Sequence, residues 1–399
     1  MKEMICGKTR KGYALIMVLG ITTLALLILE SITGAADTGN DSAISQNATF
    51  WYNKGVALDS MSKYNESIQA YDKAIEINPN YSFAWNNKGD ALSNLGKYNE
   101  SIQAYDKVIE IYPNYSFVWN NKGDALSNLG KYNESIQAYD KAIEIDPKDL
   151  HAWNSKGIAF DEMGKYEEAI QIYDKVIEID PNYFYAWYNK GIALSDLGRY
   201  NESIQAYDKA IEINPNYSFA WNNKGVALDN LGRYEEAIQA YDKAIEIKPN
   251  YSFAWNNKGN VLSDLGKYNE SIQAYDKAIE IDPKDSDTWY NKGNALSDLG
   301  KYNESIQAYD KVIEIDPNYF NAWYNKGVVL DNWGKYEEAV QVYAKAIEIN
   351  PKDSDAWHNK GIALDKLGRH EKAVVCYNKA KEVNTTTIFP LENNTTTIV

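Results

Sequence analysis

Nine asparagines recur at intervals of 34 residues, with one gap, and form the most regular set of polar groups in the chain. An amide side chain both donates and accepts hydrogen bonds. A row of such groups can therefore bind the main chain of an extended polypeptide with little regard for its sequence. The nine are Asn53, Asn87, Asn121, Asn189, Asn223, Asn257, Asn291, Asn325 and Asn359, and Ser155 fills the gap.

Aromatic residues recur near these asparagines and could anchor side chains of a bound segment. One set lies four positions before an asparagine and consists of Phe83, Phe117, Tyr185, Phe219 and Phe253. A second set lies directly before an asparagine and consists of Tyr52, Tyr188, Tyr290 and Tyr324. A structural interpretation is equally open. In it the asparagines cap or link adjacent helices, and the phenylalanines pack between repeated units.

Enzyme activity is not expected, because a catalytic centre needs a unique cluster of acid, base and nucleophile. Segments 82–115 and 116–149 differ at five positions only, and such near-copies offer no unique place. The three histidines, His151, His358 and His370, are isolated along the chain and are interpreted as surface substitutions. The chain also lacks a Gly-rich phosphate loop, a Ser-His-Asp grouping in sequence and a Cys-x-x-Cys motif.

We likewise expect no cofactor and no metal site. The acid pairs Asp285 with Asp287 and Asp353 with Asp355 lack the spaced oxygen ligands of a calcium loop, and are expected to cap helices instead. Cys376 has no evident partner for a disulfide and is expected to be a small core residue.

The elements that carry these residues follow from the tryptophans, ten of which are spaced by 34 residues from Trp51 to Trp357. We number each unit from three residues before its Trp, so that Trp is position 4 and the Asn is position 6. Apolar residues then fall at spacings of three, four and seven, which predict two amphipathic helices per unit. In the second unit these are expected at about 83–95 and 98–111, ended by Gly96 and Pro113. A further Gly at position 8 indicates close helix contact.

These units resemble the tetratricopeptide repeat family. The matching residues are Trp at position 4, Gly at 8, Ala or Ser at 20, an aromatic at 24, Ala at 27 and Pro at 32. The resemblance implies an all-α fold, a right-handed α-solenoid superhelix of ten helix-turn-helix repeats, with the first helices lining a concave groove. In that geometry the Asn row lies along the groove. It is similar to the Asn row of the family's long glycosyltransferases, although only the row carries over.

The expected repeats together cover residues 48–387. Their bounds are 48–81, 82–115, 116–149, 150–183, 184–217, 218–251, 252–285, 286–319, 320–353 and 354–387. In the last repeat, Lys381 replaces Ile at position 28 and Thr385 replaces Pro at position 32, as expected of a polar terminal unit. The Thr/Asn-rich sequence from Asn384 onward is expected to be disordered, with residues 388–399 outside the repeats.

The N-terminal region has the layout of a secretory signal. Basic residues precede an uncharged apolar run at 13–29, and small residues follow it up to Ala36. Residues 1–36 are therefore expected to be a signal peptide or a signal anchor helix, followed by a linker at 37–47. Cleavage near Ala36 and retention in the membrane both remain open. In either case the repeats are expected on the extracytoplasmic side, membrane-anchored or secreted.

Position 7 departs from the family, because it holds Lys in every unit. One interpretation is that the Lys stem packs while its ammonium meets an acid of the preceding second helix, such as Glu76 for Lys88. The other is a cationic ladder for an anionic ligand. Asn-x-Ser/Thr triplets also recur, and an exported chain can accept glycans on them. We expect occupancy first near the termini, at Asn40, Asn47, Asn393 and Asn394.

The charge balance bounds the partner. With 41 Lys and Arg against 56 Asp and Glu, the net charge is −15, which disfavours nucleic acid. A basic or neutral protein segment fits better. The sequence thus predicts an exported, membrane-attached scaffold that binds a polypeptide in the Asn-lined groove. Two alternatives stay open: a cell-surface spacer or self-associating glycan-bearing element, and an accessory subunit of an envelope assembly or protein-modifying complex.

Overall fold

The computed structural model describes residues 47–388, and of 385–388 it describes the backbone alone. This part of the chain is all-helical, with twenty α-helices and no strand. The first helices of the ten repeats are α1 Ala48–Ser60, α3 Ser82–Asn94, α5 Ser116–Asn128, α7 Leu150–Glu162, α9 Phe184–Asp196, α11 Ser218–Asn230, α13 Ser252–Asp264, α15 Ser286–Asp298, α17 Phe320–Asn332 and α19 Ser354–Lys366. The second helices are α2 Tyr64–Ile77, α4 Tyr98–Ile111, α6 Tyr132–Ile145, α8 Tyr166–Ile179, α10 Tyr200–Ile213, α12 Tyr234–Ile247, α14 Tyr268–Ile281, α16 Tyr302–Ile315, α18 Tyr336–Ile349 and α20 His370–Ile388.

The helices form two compact units of five repeats each. The N-terminal unit contains α1 to α10, and the C-terminal unit contains α11 to α20. Within each unit, a second helix packs against the first helix of its own repeat and against the first helix of the next repeat. Each unit is therefore a solenoid-like stack in tandem order, as the 34-residue period predicts.

The turn between the two helices of a repeat depends on the Gly at position 15. Gly96 has φ +74°, and an added Cβ there would meet no atom within 4 Å. The following amide, Lys97 N, donates to Leu92 O at 2.9 Å and closes the end of α3. Glycine is favoured here because its backbone enters the left-handed region without a Cβ clash.

The Gly at position 8 has a different cause. A Cβ built on Gly89 would lie 2.5 Å from Cε1 of Tyr105 at position 24, so the two helices of the repeat approach too closely for any side chain there. Tyr105 itself is fully buried. The close helix contact expected from the sequence is thus a contact between this glycine and the central tyrosine of the core.

Successive repeats are linked by the Trp at position 4 and the Pro at position 32. The indole of Trp85 donates from Nε1 to the carbonyl oxygen of Pro79 at 2.9 Å, and Trp357 donates in the same way to Pro351 at 3.0 Å. A proline cannot continue the preceding helix, so its carbonyl stays available to the next repeat. These two signature residues therefore work as one pair.

The C-terminal end corrects one expectation. Helix α20 continues to Ile388, so residues 384–388 are helical rather than disordered. The physical reason is Thr385, which replaces the proline that follows the other second helices and therefore does not stop this one. Lys381 is exposed, as a terminal unit requires.

Several expectations fall outside the residues that the structure describes. They are the signal or anchor helix at 1–36, most of the linker at 37–47, and the segment 389–399. Within 47–388, no helix combines the length and the apolar character needed to cross a membrane.

Candidate binding face on the first helices

Positions 2, 5, 6 and 9 of each first helix lie on one side of that helix, because their spacings of three, four and seven follow the helical period. We call the side chains at these positions the first-helix face. It carries all the residues that the sequence suggests for partner binding.

In the N-terminal unit, the position-6 amides donate hydrogen bonds to the repeat before them. Asn87 Nδ2 donates to Tyr52 Oη at 3.3 Å, and Asn189 Nδ2 donates to Asn154 Oδ1 at 3.1 Å. Asn121 Nδ2 donates both to Asn86 Oδ1 at 3.4 Å and to Asp90 Oδ1 at 3.2 Å. Each acceptor at position 5 belongs to the preceding first helix, so the amide joins two repeats.

The C-terminal unit repeats this pattern. Asn257 Nδ2 donates to Asn222 Oδ1 at 3.1 Å, and Asn291 Nδ2 donates to Asn256 Oδ1 at 3.3 Å. Asn325 Nδ2 donates to Tyr290 Oη at 2.9 Å and to Asn294 Oδ1 at 3.1 Å. Asn223 accepts a bond of 3.1 Å from Asn222 on the same helix. We call these amide bonds between positions 5 and 6 of successive repeats the amide ladder.

The ladder engages the amide N–H groups of most of the row that the sequence suggests for binding, namely Asn87, Asn121, Asn189, Asn257, Asn291 and Asn325. It corresponds to the linking role left open above. Asn121 and Asn189 are moreover buried, with only 4% and 5% of their surface exposed. Asn87, Asn223, Asn257, Asn291 and Asn325 are half-buried. Their side-chain oxygens have two lone pairs each, which leaves acceptor capacity on this face.

The ladder is interrupted at the fourth repeat, where Ser155 stands at position 6. Asn120 is 2% exposed, and its Oδ1 has no hydrogen-bond partner in the described part of the chain. Instead, Ser155 Oγ lies 3.4 Å from His151 Nδ1, and His151 Nε2 lies 3.3 Å from Asp124 Oδ2. The fold thus brings together a Ser, a His and an Asp that are not grouped in the sequence. Both contacts exceed the 2.6–3.2 Å typical of a nucleophile and its base, and His151 is exposed.

Position 9 contributes a feature that sequence reasoning missed. In repeats two and three it is Asp, and the buried tyrosine at position 24 donates to it. Tyr105 Oη bonds Asp90 Oδ1 at 2.6 Å, and Tyr139 Oη bonds Asp124 Oδ1 at 2.8 Å. The available signal was that polar residues at position 9 occur only in some repeats. These bonds fix two carboxylates on the first-helix face.

The aromatic side chains of this face differ in exposure. In the N-terminal unit, Phe83 is 58% exposed and Phe117 is 46% exposed, the latter with its ring 6.1 Å from that of Tyr115. Tyr188 is buried and stacks on Phe184 at 6.0 Å, and Tyr185 is half-buried beside the same ring. Phe83 and Phe117 are therefore the accessible rings in this unit among the residues that the sequence suggests.

In the C-terminal unit the aromatic rings form a continuous series. The ring centroids of Tyr217 and Phe219 are 5.3 Å apart, those of Phe219 and Tyr251 are 5.0 Å apart, and those of Tyr251 and Phe253 are 6.2 Å apart. Phe219 is half-buried within this series, so it packs between repeats, whereas Phe253 is 46% exposed at its end. Lys248 Nζ lies 4.8 Å from the Phe219 ring centroid.

The lysines at position 7 pair with acids of the preceding second helix. Lys88 Nζ lies 2.6 Å from Asp72 Oδ1, which corrects the expected partner, Glu76. Asp72, at position 25, faces the ammonium, whereas Glu76, at position 29, lies one turn further along the same helix. The same pairs recur at Lys122–Asp106, Lys156–Asp140, Lys190–Asp174, Lys258–Asp242, Lys292–Asp276 and Lys326–Asp310. The ammonium also lies over the Trp of its own repeat, at 5.1 Å for Lys88 and Trp85.

The capping prediction is confirmed for the first acid of each pair, whereas Asp287 and Asp355 lie inside the first turn of their helices. Asp285 is the N-cap of α15 and accepts from Asp287 N at 3.2 Å, and Asp353 caps α19 by accepting from Ala356 N at 2.7 Å. Cys376 is buried against Leu364 and Ala373, and burial raises the pKa of its thiol. It is therefore a core residue, as expected.

The remaining candidates lie at the surface or beyond the described residues. His358 and His370 are exposed. Asn47 is exposed and caps α1, with its Oδ1 accepting from Thr49 N at 2.8 Å. Asn40, Asn393 and Asn394 lie outside residues 47–388. Within that range, no group of three or more His, Cys, Asp or Glu is placed to hold a metal ion.

A comparison with known structures finds several similar proteins. A tetratricopeptide repeat protein from Parabacteroides merdae aligns over 62% of this chain and 98% of its own, with a TM-score of 0.51 and 14% identity. MamA aligns over 41% of this chain and 96% of its own, with a TM-score of 0.40 and 27% identity. YrrB, described as a TPR protein with an unusual peptide-binding site, aligns over 47% and 96%, with a TM-score of 0.38 and 22% identity. A search of the curated proteins finds no match.

Family models match along the repeats. The model described as tetratricopeptide repeat matches 48–81, 82–115, 116–149, 184–217, 218–251, 286–319 and 320–353, which is more than half of the chain. A second model, described as TPR repeat, matches 159–198 and 259–300. A third, described as tetratricopeptide repeat, matches 138–171, 240–273 and 342–375. The repeat bounds of the first model coincide with seven of the ten expected from the tryptophan spacing. The chain belongs to the tetratricopeptide repeat family.

Proposed function

We propose that this protein is a non-enzymatic scaffold that binds a basic polypeptide segment on the first-helix face of its repeats. The observation that carries the proposal is the exposure of large aromatic rings there, above all Phe83 at 58% and Phe117 at 46%. Water-exposed rings of this size are favourable to cover, and aromatic residues are enriched among the anchors of protein interfaces.

The charge of the face supports a basic partner. Asp90 and Asp124 lie on α3 and α5, seven residues after the exposed phenylalanines and therefore on the same side of each helix. Across the ten repeats, positions 2, 5, 6 and 9 contain no Lys or Arg. A basic segment would find carboxylates beside aromatic rings, an arrangement that suits an arginine side chain.

The asparagine row has a distinct part in this proposal. Its N–H groups hold successive first helices together through the amide ladder, and its half-buried oxygens, such as that of Asn257, accept from the main-chain N–H groups of the bound segment. The aromatic rings supply most of the binding energy.

The test is crosslinking in cells, analysed by mass spectrometry, of the wild type and the double variant Phe83→Ala, Phe117→Ala. We expect the variant to lose the crosslinks made by the wild type to a partner with a basic segment. Tyr112→Ala is the matched control, because Tyr112 is 55% exposed but follows α4 rather than lying on the first-helix face. Equal crosslinking by wild type and double variant would contradict the proposal.

We also propose that residues 1–36 direct export, with the repeats outside the cytoplasm. The support is the order of basic, apolar and small residues in this segment. Protease protection of the repeats in intact cells would contradict export. Sequencing the N-terminus of the purified protein then separates cleavage near Ala36 from retention as an anchor.

A further inference from the structure

A second row of amides lies on the second helices and is free of internal hydrogen bonds. Position 22 is Gln in nine repeats, and all nine side chains are exposed: Gln69, Gln103, Gln137, Gln171, Gln205, Gln239, Gln273, Gln307 and Gln341. The hydrogen bonds within residues 47–388 include none to these amides. They contrast with the position-6 asparagines, whose N–H groups the amide ladder engages.

Two cavities adjoin this row, both in the N-terminal unit. The larger, about 760 Å³, lies between α4 and α6, with Ile102, Trp119 and Leu126 in its lining and Gln103 and Gln137 beside them. The smaller, about 480 Å³, is lined by the corresponding residues of the fifth repeat, with Trp187, Leu194, Gln205 and Ala206 among them. Both volumes lie within the range of ligand sites. The cavities recur because the same repeat positions build them.

The charges around the larger cavity are already paired, including those of Lys131 and Glu134, whose Nζ and Oε2 atoms lie 4.0 Å apart. Lys122 Nζ lies 2.7 Å from Asp106 Oδ1, Asp140 Oδ1 lies 2.6 Å from Lys156 Nζ, and Lys141 Nζ lies 2.7 Å from Glu144 Oε2. A charged occupant would have to break one of these pairs or stay without a counter-charge. The cavity therefore fits an uncharged group.

The position of Lys122 also decides between a sugar and a peptide. Its Nζ lies 5.3 Å from the Trp119 ring centroid, so a sugar that stacked on that face of the ring would have to displace the ammonium. The remaining apolar lining, Ile102, Leu126 and Ala138, suits an aliphatic side chain.

We propose that the second-helix face of repeats two to five, meaning the exposed side of α4, α6, α8 and α10, binds an uncharged, extended polypeptide segment. An aliphatic side chain of the segment enters the cavity, while Gln103 and Gln137 bond its main chain. This site is separate from the first-helix face, and the scaffold would bind two segments at once.

The experiment measures binding of a fluorescent peptide to the full chain by polarisation. The probe is an acetylated, amidated peptide of serine and alanine with two leucines. We expect the double variant Gln103→Ala, Gln137→Ala to bind it about tenfold more weakly than the wild type. Both sites are exposed, and alanine is a better helix former, so the fold should persist.

The matched control is Gln69→Ala, Gln341→Ala, the same change in repeats one and nine, which should bind as the wild type does. Phe83→Ala, Phe117→Ala should also leave this peptide bound, which separates the site from the proposed function. Replacing both leucines of the probe with aspartate should abolish binding. The proposal is overturned if the leucine peptide does not bind, if the two glutamine variants bind it equally, or if a neutral oligosaccharide displaces it.

Discussion

The side-chain amide of Asn189 donates to Asn154 Oδ1 at 3.1 Å, and this bond joins two first helices across a repeat boundary. One repeat earlier the equivalent acceptor, Asn120 Oδ1, is buried without a partner among residues 47–388, because Ser155 is too short to replace the asparagine. A buried acceptor that loses its hydrogen bond costs about 1–3 kcal/mol. Ser155 therefore leaves the amide ladder without a bond between repeats three and four.

Ser155→Asn should repair this step and stabilise the protein by about 1 kcal/mol, because the new amide can donate to Asn120 Oδ1. The measurement is the midpoint of urea unfolding followed by far-UV circular dichroism. Asn189→Ser is the reciprocal control, since it removes the donor of Asn154 and should lower the midpoint. A lower midpoint for Ser155→Asn would mean that the contacts of Ser155 and His151 matter more than the ladder.

Removal of a position-7 lysine should cost more stability where its acid is present. Lys258 pairs with Asp242 at 2.6 Å, whereas the residue corresponding to Asp242 in the ninth repeat is Ala344, and no ion pair of Lys360 occurs in the described part of the chain. The variants Lys258→Met and Lys360→Met both keep an apolar stem over their Trp, so the comparison isolates the ion pair. Lys258→Met should lower the free energy of unfolding by about 0.5–1 kcal/mol, and Lys360→Met should lower it less, because Ala344 stands in place of the acid.

Urea unfolding at low and high salt tests this difference, because added salt should reduce the cost of Lys258→Met. A double variant of two paired lysines tests the cationic ladder. Lysines that are already neutralised by Asp offer little to an anionic ligand, so Lys190→Met with Lys258→Met should leave partner capture unchanged.

Asp285→Ala should destabilise the protein by about 1 kcal/mol, because it removes the cap of α15 and the bond from Thr288 Oγ1 to Asp285 Oδ2 at 2.5 Å. Asp355→Ala is the control, since Asp355 lies one residue inside the first turn of α19 rather than at its cap. Thermal unfolding in calcium chloride and in chelator should coincide for the wild type. A rise in the melting temperature with calcium would show that these acids bind the ion.

The sequence predicted the helices and repeat bounds well because each signature residue has a local or next-repeat partner. Gly96 ends a helix through its own backbone, and Trp85 needs only the carbonyl of Pro79, six residues away. The ladder was harder to predict. The partner of Asn189 lies 35 residues earlier, and an amide at that spacing is equally suited to a ligand or to its neighbour.

Exposure was also beyond the sequence. Phe83 and Phe219 occupy the same repeat position, yet Phe83 is 58% exposed, whereas Phe219 is half-buried against Tyr251. Both rings lie in repeats that end in a tyrosine, Tyr115 and Tyr251, so the difference lies in how that tyrosine packs and not in its identity. Lys88 presents a similar case, because its choice between Asp72 and Glu76 depends on helix rotation that periodicity alone does not fix.

Alkaline pH should weaken the fold through the buried tyrosines of position 24. Burial raises the pKa of Tyr275 to about 12, while a hydrogen bond with Ser271 opposes the shift and Asp264 adds to it. The unfolded chain has a tyrosine pKa near 10 and releases its proton first. The stability from neutral Tyr275 is therefore fully present below about pH 10 and is lost as pH rises towards 12, up to about 2–3 kcal/mol.

Tyr275→Phe should be less stable than the wild type at pH 8, because Asn260 Oδ1 loses its donor at 2.8 Å. Between about pH 10 and 11.5 its stability should fall less steeply than that of the wild type, so the two curves converge. The measurement is urea unfolding at closely spaced pH values, and taking the difference between the two proteins removes the effect of lysine titration. Tyr112→Phe, at an exposed ring, should run parallel to the wild type. If Tyr275→Phe also runs parallel, proton release from this hydroxyl does not drive the alkaline loss of stability.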